Sequence, residues 1–467
     1  MSATPAGTFR EESARLAGDL EHRRRIAAAM GKYETARGPR QGAFLSWELG
    51  RQALADTKWE AVNRLDEHLE RFEKEATARG TQVHWCRDAA EARDAIVGII
   101  QRVGARRIVK SKVMTSEEIH LNGLLESLGF SVVESDLGEY IQQLKDEPPY
   151  HFVFPCMHLS REEISGLFHD KLGTAEEHDP EALTMIARRV LREKYVEADI
   201  GITGANFVVA ETGMISITEN EGNARLTAAL PRVMISLVGI EKVVPRLGDL
   251  ALFLPMLATA GTGQPLTCYN TFYGGPRQPG EADGPEEWHV ILLDNHRTEL
   301  LADPEQRDAL HCIRCGACLN VCPVFRAIGG LSYGTTYQGP VGSVITPHLR
   351  GLQDWKHLSG ASSLCGACTD TCPVKIDLHH HLLHNRRNAA RERGGVERWV
   401  WKAFSFVMRR PFLYGMGMRV ARLVRPLHAA LLEGGVLDPV RAWTASRELP
   451  ELAEETFRER WKRRGRE

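Results

Sequence analysis

Seven of the chain's ten cysteines lie between residues 312 and 372, in two runs whose spacing suits metal chemistry. The runs are Cys312, Cys315, Cys318 and Cys322 followed by Pro323, and Cys365, Cys368 and Cys372 followed by Pro373. The first run has the uninterrupted C-x2-C-x2-C-x3-C-P spacing of iron–sulfur segments. Thiolates at this spacing hold a cubane 4Fe–4S cluster, so the sequence predicts a protein that moves electrons.

The two runs are expected to share their cysteines between two 4Fe–4S clusters. In paired-cluster segments, the cysteine that precedes proline ligates the cluster of the other run. The predicted first cysteine set is Cys312, Cys315, Cys318 and Cys372, and the second cysteine set is Cys322, Cys365 and Cys368. The second set is therefore one thiolate short of the four that a cubane requires.

The missing ligand would stand three residues before Cys365, where the sequence has Ser362. A serine oxygen is a harder and poorer ligand for iron than a cysteine sulfur. The alternatives left open are a remote cysteine (Cys86, Cys156 or Cys268), a water, a partner's side chain, or a three-iron cluster. An iron with an open position can also bind substrate as a Lewis acid.

Zinc and disulfides are the competing uses of closely spaced cysteines. Structural zinc sites close at four ligands, which fits seven cysteines and two Cys-Pro endings poorly. Disulfides need an oxidising compartment, and the N-terminus carries no apolar segment typical of a secretory signal. The sequence therefore favours iron–sulfur chemistry in a cytoplasmic protein.

Length and charge limit the other classes of function. A chain of 467 residues predicts two to four domains, and it contains no apolar run of 18 residues that would span a membrane. The net charge is −2, but residues 381–467 hold 19 Lys or Arg against 10 Asp or Glu, an excess of nine positive charges. This basic end could meet an acidic partner, or a membrane surface peripherally through partners, but the favoured interpretation is a solvated helical face. No nucleic-acid-binding motif is present.

The residue composition and the predicted secondary structure change three times along the chain. Residues 1–75 predict N-terminal helices, residues 76–300 an α/β domain, residues 301–380 the cluster module, and residues 381–467 a basic helical C-terminal region. A βαβ unit is expected from a strand at 107–109 to a strand at 130–133, which predicts a partly parallel sheet. Further strands are expected at 152–154, 198–202, 207–210, 213–218 and 233–238.

Polar residues follow several of these predicted strands. Ligands of open α/β sheets bind beyond the carboxyl ends of the strands. Lys110, Lys112, Asn206 and Glu211 fall at such ends, and the two lysines would suit an anionic group of a small carboxylate substrate. Helix capping and turn formation are the alternative roles for each of them.

Four segments carry a resemblance to the lactate-utilisation protein B family, and the resemblance runs in order along nearly the whole chain. They are CIRCGACLNVCPVFR at 312–326, YGTTYQGPVG at 333–342, LCGACTDTCPVKIDL at 364–378 and GITGANFVVAETGMISITENEGNARL at 201–226. The resemblance implies a LUD α/β domain, similar to the sugar-phosphate isomerase and CoA-transferase sheet, then an α-helical two-cluster ferredoxin-type module and a helical C-terminal region. It implies the same two cysteine sets, because the family's pattern also has seven cluster cysteines.

The resemblance further implies a role in oxidising L-lactate to pyruvate, so that lactate serves as a carbon source. Two companion proteins are implied, a cysteine-rich iron–sulfur protein and a second LUD protein. Lactate oxidation removes two electrons, whereas a 4Fe–4S cluster passes one at a time, and the sequence shows no Rossmann GxGxxG after a strand. We therefore expect an electron-transfer subunit. The alternatives are a carboxylate-binding lyase or transferase with an open-site cluster as Lewis acid, and a regulatory or assembly protein without turnover.

Overall fold

The computed structural model of the protein describes residues 4–392, 396–431, 438, 441–444, 447–448 and 453–465. The chain divides into two compact units, Met1–Ala389 and Ala390–Glu467. The first unit holds both cysteine sets and all of the strands described below. The boundaries at 75, 300 and 380 remain predictions, since the structure divides the chain at another place.

Ten strands form two sheets in the first unit. They are β1 (Gln82–Cys86), β2 (Arg107–Lys110), β3 (Ser131–Glu134), β4 (Ile200–Thr203), β5 (Phe207–Val209), β6 (Met214–Glu219), β7 (Val233–Gly239), β8 (Val243–Val244), β9 (Tyr269–Tyr273) and β10 (Glu287–Leu293). The larger sheet has the order β1-β10-β7-β4-β2-β3, and all of its pairs are parallel. The smaller sheet has the order β8-β5-β6-β9.

The central strands of the parallel sheet are almost wholly apolar because they are buried on both faces. Every residue of β4 and β7 is buried, and β10 is buried except at its first residue. Helices cover both faces of such a sheet, so its strands read as continuous hydrophobic runs rather than alternating ones. The expected α/β domain with a parallel sheet is therefore present.

The strand expected at 152–154 is wrong, because the backbone groups of this segment are used elsewhere. The amides of Val153 and Phe154 donate to Nδ1 of His151 at 2.9 and 3.3 Å. The carbonyl of Val153 accepts from the Lys112 ammonium at 2.8 Å. The segment is a turn that runs beside the first cysteine set, and its apolar side chains face that set and the neighbouring cavity rather than a sheet.

Nineteen helices are described in the first unit, or across its end. They are α1 (Pro5–Gly18), α2 (Leu20–Gly42), α3 (Trp47–Asn63), α4 (Leu65–Thr77), α5 (Ala89–Arg102), α6 (Met114–Glu118), α7 (Leu121–Ser127), α8 (Leu137–Lys145), α9 (Arg161–Leu172), α10 (Pro180–Glu197), α11 (Asn223–Ala229), α12 (Leu250–Thr262), α13 (Arg297–Ala302), α14 (Ala317–Asn320), α15 (Pro323–Ile328), α16 (Gly339–Arg350), α17 (Leu352–Gly360), α18 (Ala367–Thr371) and α19 (Leu378–Glu392). Short 3₁₀ turns occur at Ile240–Lys242, Leu247–Asp249, Arg307–His311 and Leu331–Tyr333.

The second unit contains the helices α20 (Val396–Met408), α21 (Pro411–Leu431), α22 (Arg441–Thr444) and α23 (Phe457–Arg464). The basic helical region predicted at 381–467 lies partly outside the described residues. Within the described part of the chain, no helix combines the length and the apolar character needed to cross a membrane.

The N-terminal helices pack against the cluster module rather than standing apart from it. Ile26, Met30 and Leu54 share one buried hydrophobic core with Phe325 of α15 and Leu319 of α14.

Helix α3 also makes polar contacts with the second cysteine run. The guanidinium of Arg51 donates to the carbonyl of Cys372 at 2.9 Å and to that of Thr369 at 3.2 Å. These helices therefore help to fix the position of the cysteine runs.

A buried chain of charges joins the α/β domain to the first cysteine run. Arg297 donates to both carboxylate oxygens of Glu118 at 2.9 Å and to Glu241 at 2.5 Å. The second oxygen of Glu241 accepts from Arg314 at 3.1 Å, and the hydroxyl of Tyr337 donates to Glu118 at 2.7 Å. Arg314 lies between cysteines of the first run, so this buried network ties the run to the end of the sheet.

We expect Arg297→Met to destabilise the protein strongly. The exchange leaves the carboxylates of Glu118 and Glu241 buried without their main partner, which typically costs about 3–5 kcal/mol. Thermal unfolding of the anaerobic protein measures the effect. The control is Arg102→Met, which removes an exposed ion pair with Glu287 and should cost less than about 1 kcal/mol. Equal midpoints for the two variants would show that the buried network contributes no more than a surface pair.

Candidate functional site: two cysteine sets beside a polar cavity

The four cysteines of the first set line one small enclosed space. The space is closed by apolar side chains, and its lining includes Cys312, Cys315, Cys318, Cys372, Phe152, Val341, Ile376 and Leu378. The run reaches this shape through left-handed backbone at Arg314 (φ 59°) and Gly316 (φ 79°). A Cβ at Gly316 would also lie 2.9 Å from the His151 ring and 2.9 Å from Val153, so only glycine fits this position.

The second set lies beside the first and extends to the surface. Cys322 and Cys368 are buried, whereas Cys365 is exposed. The charges of these three cysteines act on one another, and Cys368 also acts on Cys318 of the first set. The structure thus groups the cysteines as the spacing predicts, although which of them bind iron remains a prediction.

The structure leaves the fourth ligand of the second set open. The Ser362 hydroxyl accepts a hydrogen bond from the Leu364 amide at 3.1 Å, and the side chain beside the Cys365 thiol is that of Ser363. The three remote cysteines lie elsewhere. Cys86 is the buried last residue of β1 in the parallel sheet, Cys156 packs among α-helices, and Cys268 is exposed before β9.

The donor set fits an iron–sulfur cluster. The site offers sulfur atoms and apolar walls without the oxygen ligands that hard cations prefer. Burial raises the pKa of the Cys372 thiol to about 12 and that of Cys368 to about 11, and it also raises that of Cys318. Thiols in such surroundings become thiolates only when a metal replaces their protons.

Backbone amides already point at several of these sulfurs. The amide of Arg314 donates to Sγ of Cys312 at 3.4 Å, and that of Ile376 donates to Sγ of Cys372 at 3.4 Å. In the second set, the amide of residue 325 donates to Sγ of Cys322 at 3.5 Å. Such N–H donors stabilise negative charge on sulfur and are one means by which proteins tune cluster potentials.

A buried histidine holds the turn that covers the first set. Because Nδ1 of His151 accepts from two amides, its Nε2 carries the proton and donates to Oδ1 of Asn320 at 3.1 Å. The Asn320 amide in turn donates to the carbonyl of Gly261 at 3.2 Å. Burial, reinforced by the charge of Lys112, lowers the pKa of His151 to about 3, so the ring is neutral at physiological pH.

A cavity of about 360 Å³ opens at the carboxyl edge of the parallel sheet and reaches Cys315. Lys112 and Asn206, both expected there from the sequence, line it. Lys110 and Glu211 are not brought to it. The Lys110 ammonium is fully buried between Glu134 at 2.7 Å and Glu117 at 3.2 Å, while exposed Glu211 accepts from the amide of residue 247 at 2.9 Å.

Two further cations line the same cavity and were missed by the sequence analysis. Lys242 follows directly after Glu241, and Arg314 lies inside the first cysteine run. The arginine could have been noticed from its place between cysteines, but Lys242 carried no signal, because only the fold brings β7 and the cysteine run together. Burial, together with the charge of Arg314, lowers the pKa of Lys242 to about 8.

Three family models match consecutive parts of the chain. They are the LUD domain at residues 69–293, the 4Fe-4S dicluster domain at 308–376, and the C-terminal domain of lactate utilisation protein B at 377–466. The second match identifies the segment that carries both cysteine sets as an iron–sulfur segment. Together with the parallel sheet and the helical modules, these matches confirm the expected fold class.

Several curated relatives named lactate utilization protein B match most or almost all of the chain. That of Shouchella clausii is 41% identical and covers 95% of this chain and 94% of the relative. That of Anoxybacillus flavithermus is 41% identical, covering 99% and 98%, and that of Geobacillus kaustophilus is 43% identical, covering 88% of each. The match to a crystal structure of a DUF162 family protein from Deinococcus radiodurans covers 49% of this chain and 98% of that chain, at 18% identity and a TM-score of 0.28.

We expect Cys372→Ser to remove the cluster of the first set while the second set keeps its own. Bound iron and acid-labile sulfide should fall by about half, because one of two cubanes is lost. Anaerobic iron and sulfide determination, with EPR of the reduced protein, measures this. Cys268→Ser changes an exposed cysteine outside both sets and serves as the control. Unchanged iron and sulfide in Cys372→Ser would remove Cys372 from the ligands.

We expect stability to fall below neutral pH in a way that depends on His151. The unfolded imidazole takes up its proton near pH 6.5 and the folded one only near 3, so its contribution is complete above 6.5 and is lost as the pH falls toward 3. This single group adds at most about 1.4 kcal/mol per pH unit. Thermal midpoints between about pH 7.5 and pH 5.5 should therefore fall less in His151→Gln than in the wild type.

The control for this pH dependence is His296→Gln, because His296 is half-exposed and pairs only with an exposed glutamate. Its midpoints should fall with pH as steeply as those of the wild type. An equally steep fall in His151→Gln would mean that protonation of the buried ring does not govern the loss of stability.

Proposed function

The chain belongs to the lactate utilisation protein B family, and on this basis we propose that it relays electrons in the oxidation of L-lactate to pyruvate. The observation that carries the proposal is the spatial order of the cavity, the first cysteine set, the second cysteine set and the protein surface. A polar cavity borders Cys315 of the largely buried first set, Cys318 of that set is close enough to feel the charge of Cys368 in the second set, and Cys365 of the second set is exposed. This order is what a path from a buried site to an external acceptor requires.

Clusters bound at the two cysteine sets would supply one-electron transfer. The chain's own residues would exclude water from the first set through its apolar lining. They would also stabilise charge on sulfur through the amides of Arg314 and Ile376. The turn locked by His151 keeps this lining in place, because its ring accepts two amides of the same turn.

The stoichiometry of the reaction supports a role for partners. Converting lactate to pyruvate releases two electrons and two protons, and neither cysteine set accepts a hydride. We propose that companion proteins of the lactate-utilisation system, a cysteine-rich iron–sulfur protein and a second LUD protein, share the reaction with this chain. The exposed Cys365 marks the end of the relay that such a partner would approach.

The lyase or transferase alternative is less well supported. It needs a carboxylate at the open iron of the three-cysteine second set. The polar cavity instead reaches Cys315, which belongs to the set that already has four cysteines. A substrate in this cavity would therefore meet a fully ligated cluster, which suits electron transfer better than Lewis-acid catalysis.

Electron passage can be tested with the anaerobic full-length chain and its two companion proteins. On addition of L-lactate, we expect the visible absorption of the clusters to bleach, pyruvate to form, and an added one-electron dye to be reduced. In Cys365→Ser and Cys372→Ser, dye reduction should drop at least about tenfold, whereas Cys268→Ser should match the wild type.

Two outcomes would count against the relay. Lactate oxidation by the companions at an undiminished rate without this chain would remove it from the path. Consumption of lactate to a product other than pyruvate, with unchanged cluster absorption, would favour the lyase or transferase alternative.

A further inference from the structure

Six charged residues line the 360 Å³ cavity, and one of them, Lys112, is held by the carbonyl of Val153 at 2.8 Å; the other five fall into two groups. The first group is acidic and consists of Asp136, Glu219 and Glu221. Burial, together with repulsion by the charges of Asp136 and Glu219, raises the pKa of Glu221 to about 7. Lys242 and Arg314 act on each other beside Cys312 of the first set. We call the second group the cation end of the cavity.

The three acids already have partners in the protein. The Asp136 carboxylate accepts the amide at residue 139 at 3.1 Å, and that of Glu221 accepts the amide at residue 137 at 3.0 Å. Glu219 accepts the amides that begin α11 at 2.7 and 3.0 Å. These carboxylates cap helices, so the structure accounts for them without a ligand.

The cation end is not satisfied in the same way. Within the part of the chain that the structure describes, the Lys242 ammonium has no hydrogen bond and no ion pair. Nη1 of Arg314 is buried without a partner. Arg314 has to share the Glu241 carboxylate with Arg297, which takes the other oxygen. The ion pairs of Arg297 and Arg314 already use the carboxylates of residues 118 and 241, so the Lys242 ammonium adds a positive charge that no ion pair of this network offsets.

We propose that the cation end binds the carboxylate group of a small organic acid beside the first cysteine set. Unpaired N–H groups of two partly or wholly buried cations are the groups that bind a carboxylate best. The cavity volume falls in the range of small-molecule sites, about 300–1,000 Å³. That the acid is a 2-hydroxy or 2-oxo acid such as lactate or pyruvate rests on the proposed function.

A carboxylate in this place is linked to the redox state of the first set. One-electron reduction adds a negative charge there, and that charge repels an anion bound next to it. The anion therefore binds more tightly to the oxidised protein, and by linkage it lowers the midpoint potential of the set. Tenfold weaker binding to the reduced protein corresponds to about 59 mV for one electron.

Binding and potential can be measured on the anaerobic, cluster-loaded full-length chain without its companions. Calorimetry with L-lactate and with pyruvate should give binding, whereas L-lactamide, which lacks the carboxylate, should give none. A redox titration followed by EPR should show a lower midpoint potential in the presence of the acid that binds. No turnover is needed for either measurement.

Lys242→Met should weaken binding at least tenfold and abolish the ligand-dependent shift in potential, while Lys242→Arg should restore both in part. Lys145→Met, an exposed lysine paired with Glu147, serves as the control and should bind like the wild type. Iron and sulfide contents of each variant show whether it has kept its clusters.

Equal binding by the wild type and Lys242→Met would overturn the proposal, as would binding of neither acid, or of inorganic phosphate alone. If neither acid binds, the two cations only stabilise the negative charge of the thiolates in the first set. If the chain relays electrons but does not bind the acid, this inference is wrong and the proposed function stands. If the chain binds the acid with the expected shift in potential but does not relay electrons, the binding site stands and the proposed function is wrong.

Discussion

The buried chain of charges around Arg297 is the interaction on which the site depends. It connects Glu118 at the end of α6, Glu241 after β7 and Arg314 inside the first cysteine run. A buried ion pair contributes little net stability compared with apolar packing, because desolvation offsets most of the attraction. Its geometric demand is strict, however, since a displaced partner leaves a charge without compensation. The network therefore acts mainly by specifying where the cysteine run must lie against the sheet.

This constraint explains how the α/β domain and the cluster module come to share one cavity. Glu241 holds Arg314, and the next residue, Lys242, lines the cavity that reaches Cys315. Lys58 of α3 reinforces the same turn by donating to the carbonyl of Glu241 at 2.6 Å. Helix, sheet and cysteine run thus converge on one short 3₁₀ segment, and the carboxyl edge of the sheet faces a sulfur-lined site rather than solvent alone.

Local sequence patterns were enough to predict the sulfur-lined site but not its surroundings. The spacing of the cysteines and the rule for Cys-Pro gave the same two groups that the fold brings together, because ligands a few residues apart are constrained by the chain itself. The residues of the charge network are separated by up to 219 positions, as between Glu118 and Tyr337. A single sequence holds no record of such pairings.

The errors in the prediction have physical reasons as well. The apolar triplet at 152–154 was expected as a strand, yet His151 takes its amides and Lys112 takes one of its carbonyls. Lys110 and Lys112 were treated alike because both follow the strand predicted at 107–109. The two lysines are only two positions apart, yet Lys110 lies in the interior, where Glu134 pairs with it, and Lys112 lies at the cavity. Side-chain direction, which a short strand end does not fix in the sequence, decided between them.

The exposure of Cys365 has a consequence for the lifetime of the protein in air. Two nearby groups, the amide of Ala367 and the side chain of Ser363, lower the pKa of its thiol, so an unliganded Cys365 ionises more readily than an ordinary thiol. Thiolates in contact with solvent are oxidised first, to sulfenic acid and beyond. Oxygen damage should therefore begin at this corner of the molecule, and any companion that docks over it would act as a shield against air as well as a recipient of electrons.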